Sequence, residues 1–131
     1  MAQNYLKSDG FNVDDLDEAI ELCYEKGWTD GLPVVPPAEN LVLRFIEASG
    51  RKPDEELGGY APRKLTATVE KVAINAVMAG CLPEYFPTVL AIIEAMLDES
   101  KGKLVDVSTG GVASGFIVNG PIRNELGMNF N

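Results

Sequence analysis

The sequence predicts an α+β fold that is mostly helical, with about four helices and a small C-terminal β-sheet. Apolar residues recur at helical spacing in four segments of the chain, whereas the last quarter contains short β-branched runs beside a glycine pair. The length of 131 residues and the hydrophobic content of 46% suit one compact core. We therefore expect a single domain over residues 13–131, preceded by a flexible N-terminal arm over residues 1–12.

The first two helices are predicted to flank an extended loop. Asn12 is a suitable N-cap and Gly27 ends the apolar periodicity, which predicts a first helix at about residues 13–26. Its apolar residues are Val13, Leu16, Ile20, Cys23 and Tyr24. The loop over residues 27–37 holds the only tryptophan and three prolines, so it fits neither an interior helix nor a central strand. A second helix is expected at about residues 38–48, with Leu41, Val42, Phe45 and Ile46 pointing inward.

The second half of the chain is predicted to contain two further helices and the sheet. Residues 51–64 are charged and glycine-rich and indicate a long surface connection. Thr66 or Thr68 is expected to cap a third helix that runs to about Ala79. A tight turn at residues 83–85 then leads to a fourth helix from Pro87 to about Glu99. The strand candidates are Leu104–Val107 and Phe116–Val118, and the buried residues expected in the fourth helix are Val89, Leu90, Ile93, Met96 and Leu97.

Composition excludes several classes of function. Eleven basic against 20 acidic residues give a formal net charge of −9, which argues against nucleic acid and anionic membranes as partners. The absence of histidine removes the Ser-His-Asp and Cys-His nucleophile systems and histidine metal sites. Because no long apolar run or signal-peptide pattern occurs, we expect a cytoplasmic protein. Cys23 and Cys81 form no CxxC motif and are predicted to be reduced thiols.

Two loops contain residues suited to a binding site. Asp30 beside Trp28 places a carboxylate and an aromatic face together, although a turn-capping Asp30 with Trp28 filling the core is the simpler interpretation. Asn119-Gly120-Pro121 could direct amide donors into a cleft, or could be a turn that ends a strand. The glycine-rich residues 110–115 match no phosphate-binding motif. Cys23 is predicted to be a core residue, and nothing near Cys81 in the sequence would ionise its thiol.

Four blocks of sequence resemble the UGSC family of (seleno)proteins, in the order in which they occur there. They are CYEKGWTDGLPVVPP (residues 23–37), ATVEKVAINAVMAGC (residues 67–81), PEYFP (residues 83–87) and IVNGPIR (residues 117–123). The resemblance covers about residues 20–129. In the family such a region accompanies a second region that bears a (Sec/Cys)-Gly-Ser-Cys motif. This chain lacks that motif and stops at Asn131, which indicates one subunit of a split enzyme or a truncated version.

The resemblance implies the smaller subunit of a multi-chain, thiol-dependent enzyme that acts on a small organic substrate by redox or addition and elimination chemistry. The nucleophilic or redox cysteine would lie on a partner chain, seated against residues 116–131. Asp30 and Glu84 are the candidate acid-base groups, and Arg123 could hold a substrate carboxylate. The other candidate substrate-binding residues are Trp28, Thr29, Gly31, Tyr85, Asn119 and Gly120.

Two other functions remain open at this point. The chain could be a non-catalytic stabilising or regulatory partner subunit, in which case the same loops form only an interface. An independent carboxylate-metal hydrolase is disfavoured, because the sequence has neither histidine nor a DxD-like ligand cluster, and we predict no metal site. The sequence specifies no cofactor, no substrate and no subunit stoichiometry.

Overall fold

The computed structural model describes residues 6–60, 65–98, 110–111 and 114–128. The elements in these ranges are α1 (Leu16–Glu25), α2 (Glu39–Ser49), β1 (Glu56–Tyr60), β2 (Leu65–Thr68), α3 (Val69–Met78), α4 (Phe86–Leu97) and the short α5 (Ile122–Glu125), with a 3₁₀ turn at Pro83–Tyr85 before α4. The fold is therefore α+β and mostly helical, which confirms the predicted class. None of the described helices is long and apolar enough to cross a bilayer.

The core lies between α2, α3 and α4. Phe86 is fully buried and meets Phe45 edge to face, with ring centroids 5.5 Å apart. Leu90 is also buried, as the spacing in the fourth helix predicted, while Ile93 packs at the margin of the cluster. The remaining buried members are Val42, Ile46, Val69, Val72, Ala73, Ala76 and Val77. The small residues among them allow α3 to approach its neighbours closely.

The sheet lies in the middle of the chain, so its predicted C-terminal position is wrong. β1 and β2 pair antiparallel, with Tyr60 opposite Leu65 and Thr68 opposite Glu56. Phe116–Val118 is described but forms no strand, and Leu104–Val107 lies outside the described residues. The sequence prediction assigned β1 to a surface connection because Gly58 and Gly59 weaken a strand when they are judged by propensity alone.

The glycines of β1 are explained by a close approach to α4. Gly58 has a φ of +147°, and a Cβ built there would lie only 2.9 Å from the Cβ of Leu97. The register of the sheet also shifts between Glu56 and Gly58. A residue without a side chain is therefore what lets the strand turn and pack beneath the helix.

Local signals placed most helix ends correctly. α2 matches its prediction to within one residue at each end, and the predicted turn at Pro83–Tyr85 is present. Thr68 caps α3, since its hydroxyl accepts a hydrogen bond from the N–H of Lys71 at 3.3 Å. The first helix begins later than predicted, because the N-cap is Asp15 and not Asn12. The Asp15 carboxylate accepts from the N–H of Glu18 at 2.9 Å, a stronger cap for the positive end of the helix.

The apolar residues predicted for the first helix are mostly exposed. Leu16, Ile20 and Tyr24 keep 64%, 40% and 58% of their surface in solvent, and Cys23 is the buried residue of this helix. Half-buried Ala19 and Leu22 lie on the same side as Cys23. The helix is thus rotated relative to the prediction, because periodicity defines an apolar face but not which edge of that face meets the core.

The N-terminal arm is attached to α3 where it enters the described residues. The backbone N–H groups of Lys7 and Ser8 donate to the carboxylate of Glu70 at 2.8 to 3.1 Å. Leu6 packs against the core cluster, and the Lys7 ammonium lies 3.2 Å from the carboxylate of Asp54. Glu70 itself is only 3% exposed. A buried carboxylate thus holds the arm across the start of α3.

Candidate functional site

The loop after α1 is shaped by its own side chains. The Thr29 hydroxyl donates to the carbonyl of Leu32 at 2.9 Å and accepts from the N–H of Gly31 at 3.2 Å. One carboxylate oxygen of Asp30 accepts from the N–H of Leu32 at 3.3 Å. Asp30 therefore caps the turn, as the simpler interpretation of the sequence had it, and it does so while remaining exposed. The carboxylate is thereby held at the surface in a defined position.

The simpler interpretation of the sequence also had Trp28 filling the core, and this part of it is wrong. Trp28 is 45% exposed, and its ring meets Phe11 edge to face with centroids 5.7 Å apart. The Lys26 ammonium lies 4.6 Å from the centre of the Phe11 ring on the same side of the molecule. The indole is therefore braced by the arm and still offers surface to a ligand.

An open depression of about 480 Å³ lies between this loop and the end of α3. Asn75 and Met78 of α3 supply the opposite wall, and the Asn75 side-chain amide donates to the Lys71 carbonyl at 2.8 Å. The complete wall consists of Gly27, Trp28, Thr29, Asp30, Leu32, Pro33, Val34, Asn75, Met78 and Ala79. An aromatic face, a hydroxyl, a carboxylate and a carboxamide thus surround a space of the size that small organic ligands occupy.

Three of the predicted site residues meet in this wall: Trp28, Thr29 and Asp30. Gly31 belongs to the same loop, where a φ of +105° and the nearby ring of Tyr24 favour a residue without a side chain. Asn75 was missed by sequence reasoning. It stood in the α3 block, but helical spacing alone could not show that this polar position faces the Trp28 loop.

The other predicted site residues lie elsewhere in the fold. Glu84 is exposed and Tyr85 half-buried in the 3₁₀ turn, while Asn119 and Gly120 are exposed just before α5. Arg123 is half-buried within α5. Within the described ranges, the walls of the depression beside Trp28 and of the slot described next contain none of these five residues. Their contribution to a common site stays a prediction.

A smaller slot of about 190 Å³ is lined by Val35, by residues of α2 and by the segment that follows α3. Most of its lining side chains are apolar, and Cys81 and the charged Arg44 also contribute to the wall. Cys81 is half-buried and follows directly after Gly80, which has a φ of +75° and ends the third helix as predicted. The small volume and the apolar lining suit packing of a side chain better than binding of a polar substrate.

The two cysteines of the chain lie in different environments. Cys23 is 2% exposed, and burial raises the pKa of its thiol, so that the thiolate is disfavoured. This agrees with its prediction as a core residue. Cys81 lines the slot and not the depression beside Trp28. Across the described part of the chain, no group of three or more carboxylate or thiol side chains is arranged to hold a metal ion.

Comparisons with models of protein families, with curated proteins and with solved structures found no match to this chain. The depression beside Trp28 is therefore interpreted from its own geometry, and the resemblance to the UGSC family remains an expectation from the sequence.

Proposed function

We propose that this chain is the smaller subunit of a multi-chain, thiol-dependent enzyme that acts on a small organic substrate, and that the nucleophilic or redox cysteine lies on a partner chain. The observation that carries the proposal is the depression beside Trp28. Its wall offers binding groups and an acid-base group, but neither of the chain's two cysteines. Under this proposal the thiol for this site comes from another chain, as the resemblance to the UGSC family implies.

The openness of the depression supports the need for a partner. Sites for small molecules bury most of the ligand surface, and a shallow surface depression cannot do this alone. Trp28 and Leu32 at its edge are 45% and 70% exposed. A second chain seated over these side chains would cover apolar surface and close the site in the same step.

The residues of the wall would have different roles, some in substrate binding and one in proton transfer. The Trp28 indole would stack on a flat or apolar part of the substrate, and Thr29 and Asn75 would contribute hydrogen bonds. When the partner's thiol adds to an activated carbon, its S–H proton must move to the neighbouring atom. The exposed Asp30 carboxylate is the group in this wall that can accept that proton and pass it on, and the reverse transfer accompanies elimination.

The test uses the complex purified from cells that make this chain naturally. We expect a second chain to copurify and to carry the cysteine that iodoacetamide labels fastest at neutral pH. Labelling of that cysteine should abolish the activity of the complex. Turnover is measured on a panel of small electrophiles and disulfides. Asp30→Asn should lower kcat at least tenfold while the native mass of the complex is unchanged, and Asp9→Asn, an exposed carboxylate outside the depression, serves as the matched control.

Several results would refute or redirect the proposal. A lone monomer with full activity, or a complex whose activity is lost with Cys81→Ser, would refute it. If Asp30→Asn and Thr29→Val leave turnover unchanged while variants that dissolve the complex abolish it, the chain is a non-catalytic stabilising or regulatory subunit. That outcome would replace the enzymatic role of the depression with an interface role.

A further inference from the structure

The exposed side of α1 carries two parallel rows of side chains with opposite character. Leu16, Ile20 and Tyr24 form an apolar row, since residues four apart lie above one another on a helix, and each is 40% exposed or more. One position further along the chain, Asp17, Glu21 and Glu25 repeat the same spacing, and all three are exposed. One residue corresponds to about 100° around the helix, so the carboxylate row runs beside the apolar row.

The charged side chains along these rows are all acidic, and the next basic residue, Lys26, follows the helix and lies over the Phe11 ring. From residue 9 to residue 25 the chain has no lysine or arginine. The acidic residues in that stretch are Asp9, Asp14, Asp15, Asp17, Glu18, Glu21 and Glu25. The negative charge beside the apolar row repels anionic lipid, and it repels the same surface of a second copy of the chain. It attracts a partner whose own apolar row is bordered by positive charge.

The helix is otherwise held by its opposite side. Cys23 is buried there, and the carbonyl of Cys23 accepts a hydrogen bond from the N–H of Trp28 at 2.9 Å. The rows are therefore presented on a helix that is anchored at its C-terminal end. Three large apolar side chains in a line offer the anchors that a helix in a groove or a helix pair uses.

We propose that the two rows of α1 bind an amphipathic helix of a partner chain, in which an apolar row lies beside a row of lysine or arginine residues. The inference names the docking element of the partner chain, and it rests on the proposed function for the existence of that chain. Apolar contact would supply most of the affinity, whereas the charged rows would set the register and the choice of partner.

The probe is a synthetic 18-residue helical peptide without tryptophan, with leucine in one row and lysine in the adjacent row. Trp28 is the only tryptophan of the chain and lies just beyond the C-terminal end of α1, so its fluorescence reports coverage of the surface. We expect a blue shift that saturates with a micromolar Kd and weakens as salt is raised. The same peptide with glutamate in place of lysine, and a scrambled lysine peptide, should bind at least tenfold more weakly.

Matched variants separate these rows from the general acidity of the protein. Glu21→Lys with Glu25→Lys should weaken the lysine peptide at least tenfold. Glu39→Lys with Glu47→Lys changes the net charge by the same amount on the exposed side of α2 and should change Kd less than twofold. Circular dichroism and thermal melting of every variant establish that it is folded.

The apolar row is tested in the same way. Leu16→Ser with Ile20→Ser should abolish the blue shift, whereas Leu65→Ser with Leu82→Ser, two residues that are 56% and 47% exposed elsewhere, should leave it unchanged. Equal binding of the glutamate peptide, or an equal effect of both charge variants, would overturn the inference. A dimer of the chain that only the Leu16 and Ile20 changes dissolve would assign the surface to a second copy instead.

The purified complex separates the inference from the proposed function. If a partner chain copurifies and the α1 variants leave that complex intact, the docking inference is wrong and the proposed function stands. If no partner chain copurifies under conditions in which the lysine peptide binds, the proposed function fails, and α1 is a docking surface without the enzymatic role.

Discussion

Replacing Glu70 with Gln removes the negative charge that holds the N-terminal arm. The carboxylate is 3% exposed and accepts from the N–H groups of Lys7 and Ser8, which lie more than 60 residues away in the sequence. Gln has nearly the same shape, so the substitution tests charge and hydrogen bonding without opening a cavity. The amide keeps one acceptor oxygen but places an NH₂ group where the second oxygen stood.

The expected loss follows from the number of donors. A hydrogen bond to a charged group stabilises by roughly 1.5 to 3 kcal/mol, and Gln removes the charge from both contacts and one acceptor outright. We therefore expect the free energy of unfolding to fall by about 2 to 3 kcal/mol at pH 7. The loss of stability cannot exceed the free energy with which the arm is docked. Beyond that value Leu6 and its neighbours detach and their amides hydrogen-bond to water instead.

The effect has a defined pH dependence. Burial opposes ionisation of Glu70, but the hydrogen bonds from Ser8 and Lys7 and the Lys7 charge outweigh it, so the pKa is held below its ordinary value. A carboxyl with a lowered folded-state pKa stabilises the fold above its unfolded pKa, which for Glu is about 4.3. That stabilisation is lost as pH falls through the folded-state pKa. The difference between the wild type and Glu70→Gln should therefore be full at pH 7 and vanish in acid.

Urea unfolding between pH 3 and pH 7 measures this difference, and limited proteolysis of the first ten residues reports release of the arm. Glu47→Gln is the matched control, because that carboxylate is exposed on α2 and its loss should cost less than about 0.5 kcal/mol. A difference between wild type and Glu70→Gln that stays constant down to pH 3 would refute the role of the charge. If the arm is cleaved equally fast in the wild type and in Glu70→Gln, the attachment of the arm through Glu70 is refuted.

Three further predictions concern the core, the strand and the thiol. Leu90→Ala should lower the free energy of unfolding by about 2 to 5 kcal/mol in urea, whereas Ile117→Ala, at a side chain 90% exposed, should change it by less than about 0.5 kcal/mol. Gly58→Ala should destabilise by about 1 to 3 kcal/mol because of its φ of +147° and its close contact with α4. Gly59→Ala should be nearly neutral, since a Cβ there would lie at an ordinary contact distance of 3.6 Å from the Leu65 carbonyl oxygen, and equal melting temperatures of the two variants would contradict this. Cys81→Ser should leave the activity of the assembled complex unchanged, and labelling of Cys81 at the rate of an activated thiolate would count against the assignment of the thiol to a partner.

The sequence predicted the helices well where the signals are local. Proline at positions 83 and 87, glycine after α3 and threonine before it act within a few residues of where they stand, so their effects could be read without the fold. The strand β1 could not be read in this way. Its glycines discourage a strand locally, and only the approach of Leu97 from α4 explains them.

The candidate site was predicted in part for the same reason. Trp28, Thr29 and Asp30 are neighbours in the chain, so a single loop motif indicated all three. Asn75 joins them from another element, and no pattern within α3 marks it. Glu84 and Arg123 were grouped with the loop through the family resemblance. Neither residue lines the depression beside Trp28 or the slot beside Cys81 in the described part of the chain, so their grouping with the loop stays a prediction.

Local signals in the sequence predicted the class of fold and the approximate helix bounds, because capping and periodicity act within a few residues of where they stand. The buried side of α1, the place of the sheet and the charge of Glu70 in the interior became evident from the folded structure. Each of these depends on a contact between residues far apart in the chain. Such contacts carry no signal in a local window, since the free energy that selects them is gained only when the whole core assembles.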